Sequence, residues 1–162
     1  MPKRCFPPVV DAKTRILILG SLPGEMSLAL NQYYGNPQNR FWLLVGDVIG
    51  RDLVGMDYAS RLETLLEHRI GLWDVVAEAH RIGSLDSNIR GHAGNDLVAL
   101  VDGLPNLATI AFNGATAEKI GLKALGEHRA RYRLLRLPSS SPAHASVSYA
   151  QKLAKWRQLA SA

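Results

Sequence analysis

Arg15-Ile16-Leu17-Ile18-Leu19-Gly20 is a short, unbroken apolar run that stops at a glycine. A strand that meets a core on one face alternates apolar and polar residues. A strand buried on both faces has no polar positions to keep, so it reads as a continuous run. The stretch therefore predicts an inner strand of a parallel sheet, closed by the turn residues Gly20-Ser21-Leu22-Pro23-Gly24. Leu107-Ala108-Thr109-Ile110-Ala111-Phe112 repeats the pattern and ends in Asn113-Gly114. Tyr132 to Leu137 forms a further strand, stopped by Pro138. Ile70-Gly71-Leu72-Trp73-Asp74-Val75-Val76 reads as a short strand running into a loop.

Helical spacing fills the gaps. From Arg40, the positions Phe41, Leu44, Val45 and Val48 recur at i, i+3, i+4 and i+7, as on a helix facing a core. Leu62, Leu65 and Leu66 suggest another helix. Leu97, Leu100, Val101 and Leu104 suggest a third, with Asn95 or Asp96 as N-cap. Ala115 to about Leu125 follows the second apolar strand, and Tyr149, Leu153 and Trp156 share a face of a final helix. Strands alternating with helices imply an α/β layer fold around a largely parallel sheet. In such sheets ligands bind beyond the carboxyl ends of the strands. Gly20 to Pro23, Trp73-Asp74, Asn113-Gly114 and Pro138 to Ser141 then meet in one crevice.

Bulk properties narrow the chemistry. The 162 residues, 47% hydrophobic and 20% charged, suffice for one globular domain with a full core. No run approaches a membrane span. Met1-Pro2-Lys3-Arg4 lacks the apolar segment of a secretory signal, so a cytoplasmic protein without membrane partners is expected. The single cysteine, Cys5, excludes an internal disulfide and a four-cysteine metal site. The five histidines, His68, His80, His92, His128 and His144, form no metal-ligand pair at helical spacing, so neither metal nor cofactor is expected. There is no phosphate-binding Gly-x-x-x-x-Gly-Lys loop, no third glycine of a dinucleotide fingerprint and no Gly-x-Ser-x-Gly elbow. A formal charge of +5 favours a polyanionic partner. The bases cluster: Lys119, Lys123, Arg129, Arg131, Arg133 and Arg136, then Lys152, Lys155 and Arg157.

Side-chain amides, aromatics and small hydroxyls remain at the strand ends. A carboxamide cannot abstract a proton, but it can hold a water and can hydrogen-bond a departing base. Those tasks suit cleavage of an N-glycosidic bond, in which the sugar becomes cation-like and the leaving base gains negative charge. Duplex DNA hides its bases, so such an enzyme flips one into a pocket, stacks it on an aromatic ring and reads its polar edge.

The span Gly20-Ser-Leu-Pro-Gly24 with Tyr33-Tyr-Gly-Asn-Pro-Gln-Asn-Arg-Phe-Trp42 resembles the first motif region of the mismatch-specific uracil-DNA glycosylases. Gly71-Leu-Trp-Asp-Val75, Gly83-Ser-Leu-Asp-Ser-Asn-Ile89, Phe112-Asn-Gly114 and Leu137-Pro-Ser-Ser-Ser-Pro142 are closer to the hypoxanthine-DNA (deoxyinosine) glycosylase branch of the same superfamily. The resemblance runs from about Arg15 to His144. It implies a three-layer α/β sandwich with a central, mostly parallel four-stranded sheet flanked by helices, the whole of residues 1–162 forming one glycosylase domain. It also implies a monomer acting on DNA. The mismatch-specific relatives carry a catalytic Asn in the middle of the Gly-x-x-Pro-Gly turn, where this chain has Leu22. The resemblance then implies that Asn39 positions the water and that Asn113 supports catalysis or base binding. Tyr34 falls where relatives place the stacking aromatic, and Asp74 near the position that reads the base edge. Ser21 offers a hydroxyl or N–H near the glycosidic bond. Ser139, Ser140, Ser141, Pro142 and His144 align with the loop that enters the duplex.

The four strand-end segments contain no lysine to form a Schiff base, so base release without strand cleavage is expected. Hypoxanthine, uracil and xanthine all remain open as the base. So do a DNA-binding module without catalysis, suggested by Leu22, and a small-molecule nucleotide-binding domain.

Overall fold

A computed structural model describes residues 3–80, 90–142 and 146–161. In chain order the elements are β1 (Lys3–Arg4), β2 (Ile16–Gly20), α1 (Glu25–Leu30), α2 (Phe41–Ile49), α3 (Tyr58–Glu67), β3 (Ile70–Asp74), β4 (Val76–His80), β5 (Arg90–Gly94), α4 (Leu97–Asp102), β6 (Thr109–Asn113), α5 (Ala115–Leu125), β7 (Arg133–Leu137) and α6 (Tyr149–Trp156). Short 3-10 turns follow α5 and α6.

The central sheet has four strands in the order β3-β2-β6-β7, and every pairing is parallel. All five residues of β2 are buried, as its continuous apolar run requires. Successive side chains leave opposite faces of a strand, so β2 feeds two cores. Ile16 and Ile18 pack with Ile70, Leu72 and Ala111 against α2, α3 and α6. Leu17 and Leu19 pack with Ile110 and Phe112 against α4 and α5. This gives the three layers expected of the resemblance.

Two local readings change. The segment after Asp74 is not simply a loop. Val76 opens β4, the middle strand of a small antiparallel sheet ordered β1-β4-β5. The run Ile70 to Val76 hides this break because apolar residues suit strands of either sheet. Helix α1 has only six residues, too few to show a periodicity, and the sequence reading missed it.

Both free edges of the central sheet are managed. Beside β3 the N-terminal segment bridges Val9 to Leu72, while the Trp73 indole donates to the Phe6 carbonyl at 3.0 Å. On the other edge, β7 keeps Arg133, Leu134 and Arg136 exposed. Edge charges oppose pairing with another chain.

Helix α6 starts with a capping box. The Ser148 hydroxyl accepts from Gln151 N, and the Gln151 side chain accepts from Ser148 N. Ser148→Ala is expected to lower folding stability by about 1 kcal/mol, measured by chemical denaturation.

Candidate active site

Strand register assembles the site. Gly20 pairs with Asp74 across β2 and β3, and Asn113 pairs with Leu137 across β6 and β7. Leu19 pairs with Phe112, so Gly20 and Asn113 follow at one level. All four carboxyl ends therefore open on one side. There they bound a cavity of about 1250 Å3 whose lining includes Ser21, Tyr34, Asn39, Asp74, Asn113 and the loop Ser139 to Pro142. Arg136 and Lys155 also belong to its lining.

Asn39 lies just before α2. Its N–H donates to the Asn36 carbonyl and its Oδ1 accepts from Phe41 N, both at 2.9 Å. The geometric cap residue is Arg40, one place later than a helix starting at Arg40 would require. The Asn39 side chain nevertheless satisfies an otherwise orphaned N–H of the first turn. Its Oδ1 retains a second lone pair, and no described residue accepts from its Nδ2. The loop before it is held by Gly35 N donating to Ser27 Oγ at 2.8 Å and by Gln38 N donating to Asn36 Oδ1 at 2.9 Å.

Tyr34 has a backbone φ of 53°, in the left-handed region that bulky residues avoid. Its ring stacks on Phe41 with centroids 3.9 Å apart and an interplanar angle of 14°. Phe41 and Trp42 are buried in the core, as their place on α2 predicts. Phe41 in turn meets Trp42 and Trp156 edge-on. The Tyr34 ring thus has one face backed by a fixed aromatic stack.

Asn113 ends β6 and is 7% exposed. Its Oδ1 accepts from Ser140 N at 2.9 Å, while its Nδ2 donates to Ser140 Oγ at 2.9 Å and to the Tyr34 hydroxyl at 3.3 Å. Gly114 follows with a φ of 97°, and a Cβ built there would lie 3.2 Å from Ser139 Cβ. Only glycine combines that turn with so close a serine loop. The loop is anchored from three more directions. Arg40 N donates to the Ser140 carbonyl at 2.9 Å, Trp156 Nε1 to the Pro138 carbonyl at 2.9 Å, and Lys152 Nζ to the Ser141 carbonyl at 3.4 Å. Lys152 is buried, and its pKa is pushed down by desolvation and then by the Arg40 charge.

Asp74 is 4% exposed at the end of β3. Its negative charge is felt nearby. It is the second cause, after burial, of the raised pKa of Tyr33, and it adds to the rise at Cys5, which burial dominates. Asn95 braces this corner by donating to the Asp74 carbonyl at 2.6 Å. Asp96, not Asn95, caps α4. Ser21 is buried, and its carbonyl accepts from Val76 N at 3.0 Å, tying the Gly/Pro turn to β4.

The sequence-selected residues Ser21, Tyr34, Asn39, Asp74, Asn113, Ser139, Ser140, Ser141 and Pro142 therefore line one cavity. His144 lies outside the described residues, as does the stretch Gly83 to Ile89. Gly20 lines the cavity too, as the crevice of strand ends implied, but two contributors were missed. Asn36 lines the cavity beside Asn39, and Lys152 braces the serine loop. The Asn36 signal was present, since Asn-Pro opens the quoted loop. Lys152 carried none, because a lysine on a helix reads as solvated. Among the described residues, no group of three His, Cys, Asp or Glu side chains is placed to hold a metal ion. None of their helices is long and apolar enough to cross a membrane.

Comparison with known proteins gives the family. The family model described as the uracil DNA glycosylase superfamily matches residues 7–160. A hypoxanthine DNA glycosylase of Methanosarcina acetivorans is 47% identical over 150 residues, covering 91% of this chain and 92% of that protein. A protein of the same name from Methanosarcina barkeri is 49% identical over 114 residues, 70% of this chain and 72% of its own length. A solution NMR structure from M. acetivorans, provisionally assigned as a uracil DNA glycosylase, superposes with a TM-score of 0.84 at 44% identity, covering 98% of this chain and 99% of that one. A parallel sheet that gathers carboxamides, an aromatic and a serine loop at its carboxyl edge, matched over nearly its whole length, places this chain in the uracil DNA glycosylase superfamily.

Proposed function

We propose that this chain is a DNA glycosylase that takes an extruded hypoxanthine into the cavity and releases it by hydrolysis, leaving an abasic site. The observation that carries the reading is the convergence of Asn39, Asp74, Asn113 and Tyr34 on one cavity with the serine loop at its mouth. The names of the relatives at 47% and 49% identity supply the base.

The geometry supports the following roles. The Tyr34 ring, backed by Phe41 on one face, offers its other face to the flipped base. Hypoxanthine presents an N–H beside a C=O on its pairing edge. The Asp74 carboxylate accepts from the N–H, and the Asn113 amide donates to the carbonyl. The hydrogen Asn113 hands over is the one now reaching the Tyr34 hydroxyl, since 3.3 Å is the longer of its two Nδ2 bonds. As the N-glycosidic bond lengthens, negative charge grows on the base, and a fixed N–H donor stabilises that charge more than the resting base. Asn39 supplies the other half. With Oδ1 fixed by Phe41 N, its second lone pair and its Nδ2 orient a water toward the sugar carbon. Water attacks that carbon as the base leaves with the electrons of the C–N bond, and the water proton passes to solvent or to the departing base. Ser139, Ser141 and Pro142, on the accessible side of the loop, face the duplex. Arg136 and Lys155 in the lining meet its phosphates.

A cavity of about 1250 Å3 exceeds a compact small-molecule pocket of up to ~1,000 Å3. Arg136 and Lys155 in its lining suit a polyanionic partner.

The primary test is release of free base from duplexes carrying deoxyinosine, deoxyuridine or deoxyxanthosine. Release of hypoxanthine without strand scission is expected. A protein that binds these duplexes but frees no base contradicts the proposal. Asn39→Ala is expected to slow single-turnover release by on the order of 10²-fold. Equal release by this variant removes Asn39 from the mechanism.

Gly20 provides a second test. A Cβ there would lie 2.7 Å from Asp74 Oδ1 and 2.8 Å from the Tyr34 hydroxyl. Gly20→Ala is expected to displace both groups and to lower base release by on the order of 10²-fold. Its affinity for undamaged duplex, measured by anisotropy, should match that of the parent protein.

A further inference from the structure

The three consecutive serines of the loop do not have equivalent surroundings. Ser139 and Ser141 are partly exposed, and Ser139 Oγ accepts from Ser141 N at 3.1 Å within the loop. Ser140 is 1% exposed and turned inward. Each of its three polar groups is committed to another element. Its N–H donates to Asn113 Oδ1, its Oγ accepts from Asn113 Nδ2, and its carbonyl accepts from Arg40 N, each at 2.9 Å.

We propose that Ser140 is a positioning residue that fixes the Asn113 carboxamide and links it to the helix start bearing Asn39. The inference rests on the catalytic reading of Asn113 and Asn39 given above. A backbone N–H only donates, so the amide atom facing Ser140 N is the oxygen. That contact alone fixes which end of the amide points where, but a single hydrogen bond leaves it free to twist. The Ser140 hydroxyl adds the second point of attachment. With both made, one Nδ2 hydrogen is held by Oγ and the other is directed at Tyr34 and the cavity. The donor needed for the departing base is thereby aimed before the base arrives. This is preorganisation: no orienting cost remains for the reaction step.

The third bond extends the effect. Arg40 immediately follows Asn39, so the Ser140 carbonyl holds the backbone next to the water-positioning amide. One buried residue thus spans the two amides, one from the end of β6 and one from the approach to α2. Ser140 touches neither base nor water in this role. It acts through Asn113 and the Arg40 backbone.

The test is a double-mutant cycle in single-turnover base release, with Ser140→Ala, Asn113→Ala and the double variant. Ser140→Ala is expected to slow release by about tenfold or more. It should leave affinity for an uncleavable deoxyinosine analogue duplex within about twofold of the parent, a small change against the tenfold-or-more loss in rate. The double variant should be no slower than Asn113→Ala alone, because Ser140→Ala removes only the hydroxyl, which then has no amide to hold, and keeps the carbonyl bond to Arg40 N. Multiplying effects, an unchanged Ser140→Ala rate, or a loss confined to DNA affinity each overturn the proposal. If Asn113→Ala itself releases base at the parental rate, the catalytic reading of Asn113 fails and this inference fails with it.

A measurement on the unaltered protein separates the two. By NMR hydrogen exchange, the Asn113 side-chain NH2 should exchange much more slowly than that of Asn39, whose Nδ2 has no described acceptor. Equal, fast exchange refutes the clamp whatever the activity. Slow exchange with an inactive protein leaves the clamp standing and refutes the function.

Discussion

The parallel register of the central sheet is the constraint from which the site follows. Gly20 is level with Asp74, and Asn113 with Leu137. A slip of one residue on any strand would send its side chains to the opposite face and exchange one core for the other. The alternation of Ile16 and Ile18 to one core with Leu17 and Leu19 to the other makes such a slip costly. Burial of apolar side chains far from the cavity therefore sets the relative heights of a carboxylate and a carboxamide inside it. Parallel strands also force every connection to return across a helix layer, which leaves all four carboxyl ends on one side.

The polar groups gathered there are mostly neutral. A carboxamide keeps one protonation state across the working pH range, so its donor and acceptor remain where packing puts them. The cost is orientation, because an amide without fixed partners can rotate or turn its ends. Asn113 meets this by pairing with Ser140, and Asn39 by accepting from Phe41 N. Asp74 is the buried carboxylate among them. It sits 4% exposed, and after burial it is the next cause of the raised pKa of Tyr33. A charge felt through buried surroundings is also one that a hydrogen-bonding base edge can sense strongly.

Much of the architecture was legible because it depends on local pattern. The unbroken run Arg15 to Leu19 and its repeat at Leu107 to Phe112 signalled inner strands, and α5 begins and ends where its spacing placed it. The small second sheet was not legible. Its middle strand begins two residues after β3 ends, and an apolar stretch does not announce a change of sheet. The site residues were legible as a set because strand ends converge by topology. Their partners were not. Nothing in Ser139-Ser140-Ser141 distinguishes the middle serine. Only the turn after β7 decides that it faces Asn113 while its neighbours face outward. Lys152 is similar, since its burial depends on the path of the serine loop, which it meets eleven residues earlier at Ser141.

Leu22 shows how the departure from the mismatch-specific pattern is accommodated. It is 6% exposed and belongs to the core between the sheet and α4 and α5. It also lines the cavity, so at this position the turn presents an apolar side chain where the mismatch-specific pattern has a carboxamide. The turn that supplies a water-binding group in those relatives here supplies packing. The polar task then falls to a residue entering the cavity from another side, with its own anchoring. Asn39 meets that description: its loop is tied to α1 through Ser27 and Gly35, to the aromatic stack through Phe41, and to the serine loop through Arg40. The Arg40 N–H donating to the Ser140 carbonyl ties the Asn39 loop to the serine loop. The Gly/Pro turn has a different anchor, since the Ser21 carbonyl is bound to β4. The two loops at the cavity are therefore anchored separately, one to β4 and one to the serine loop.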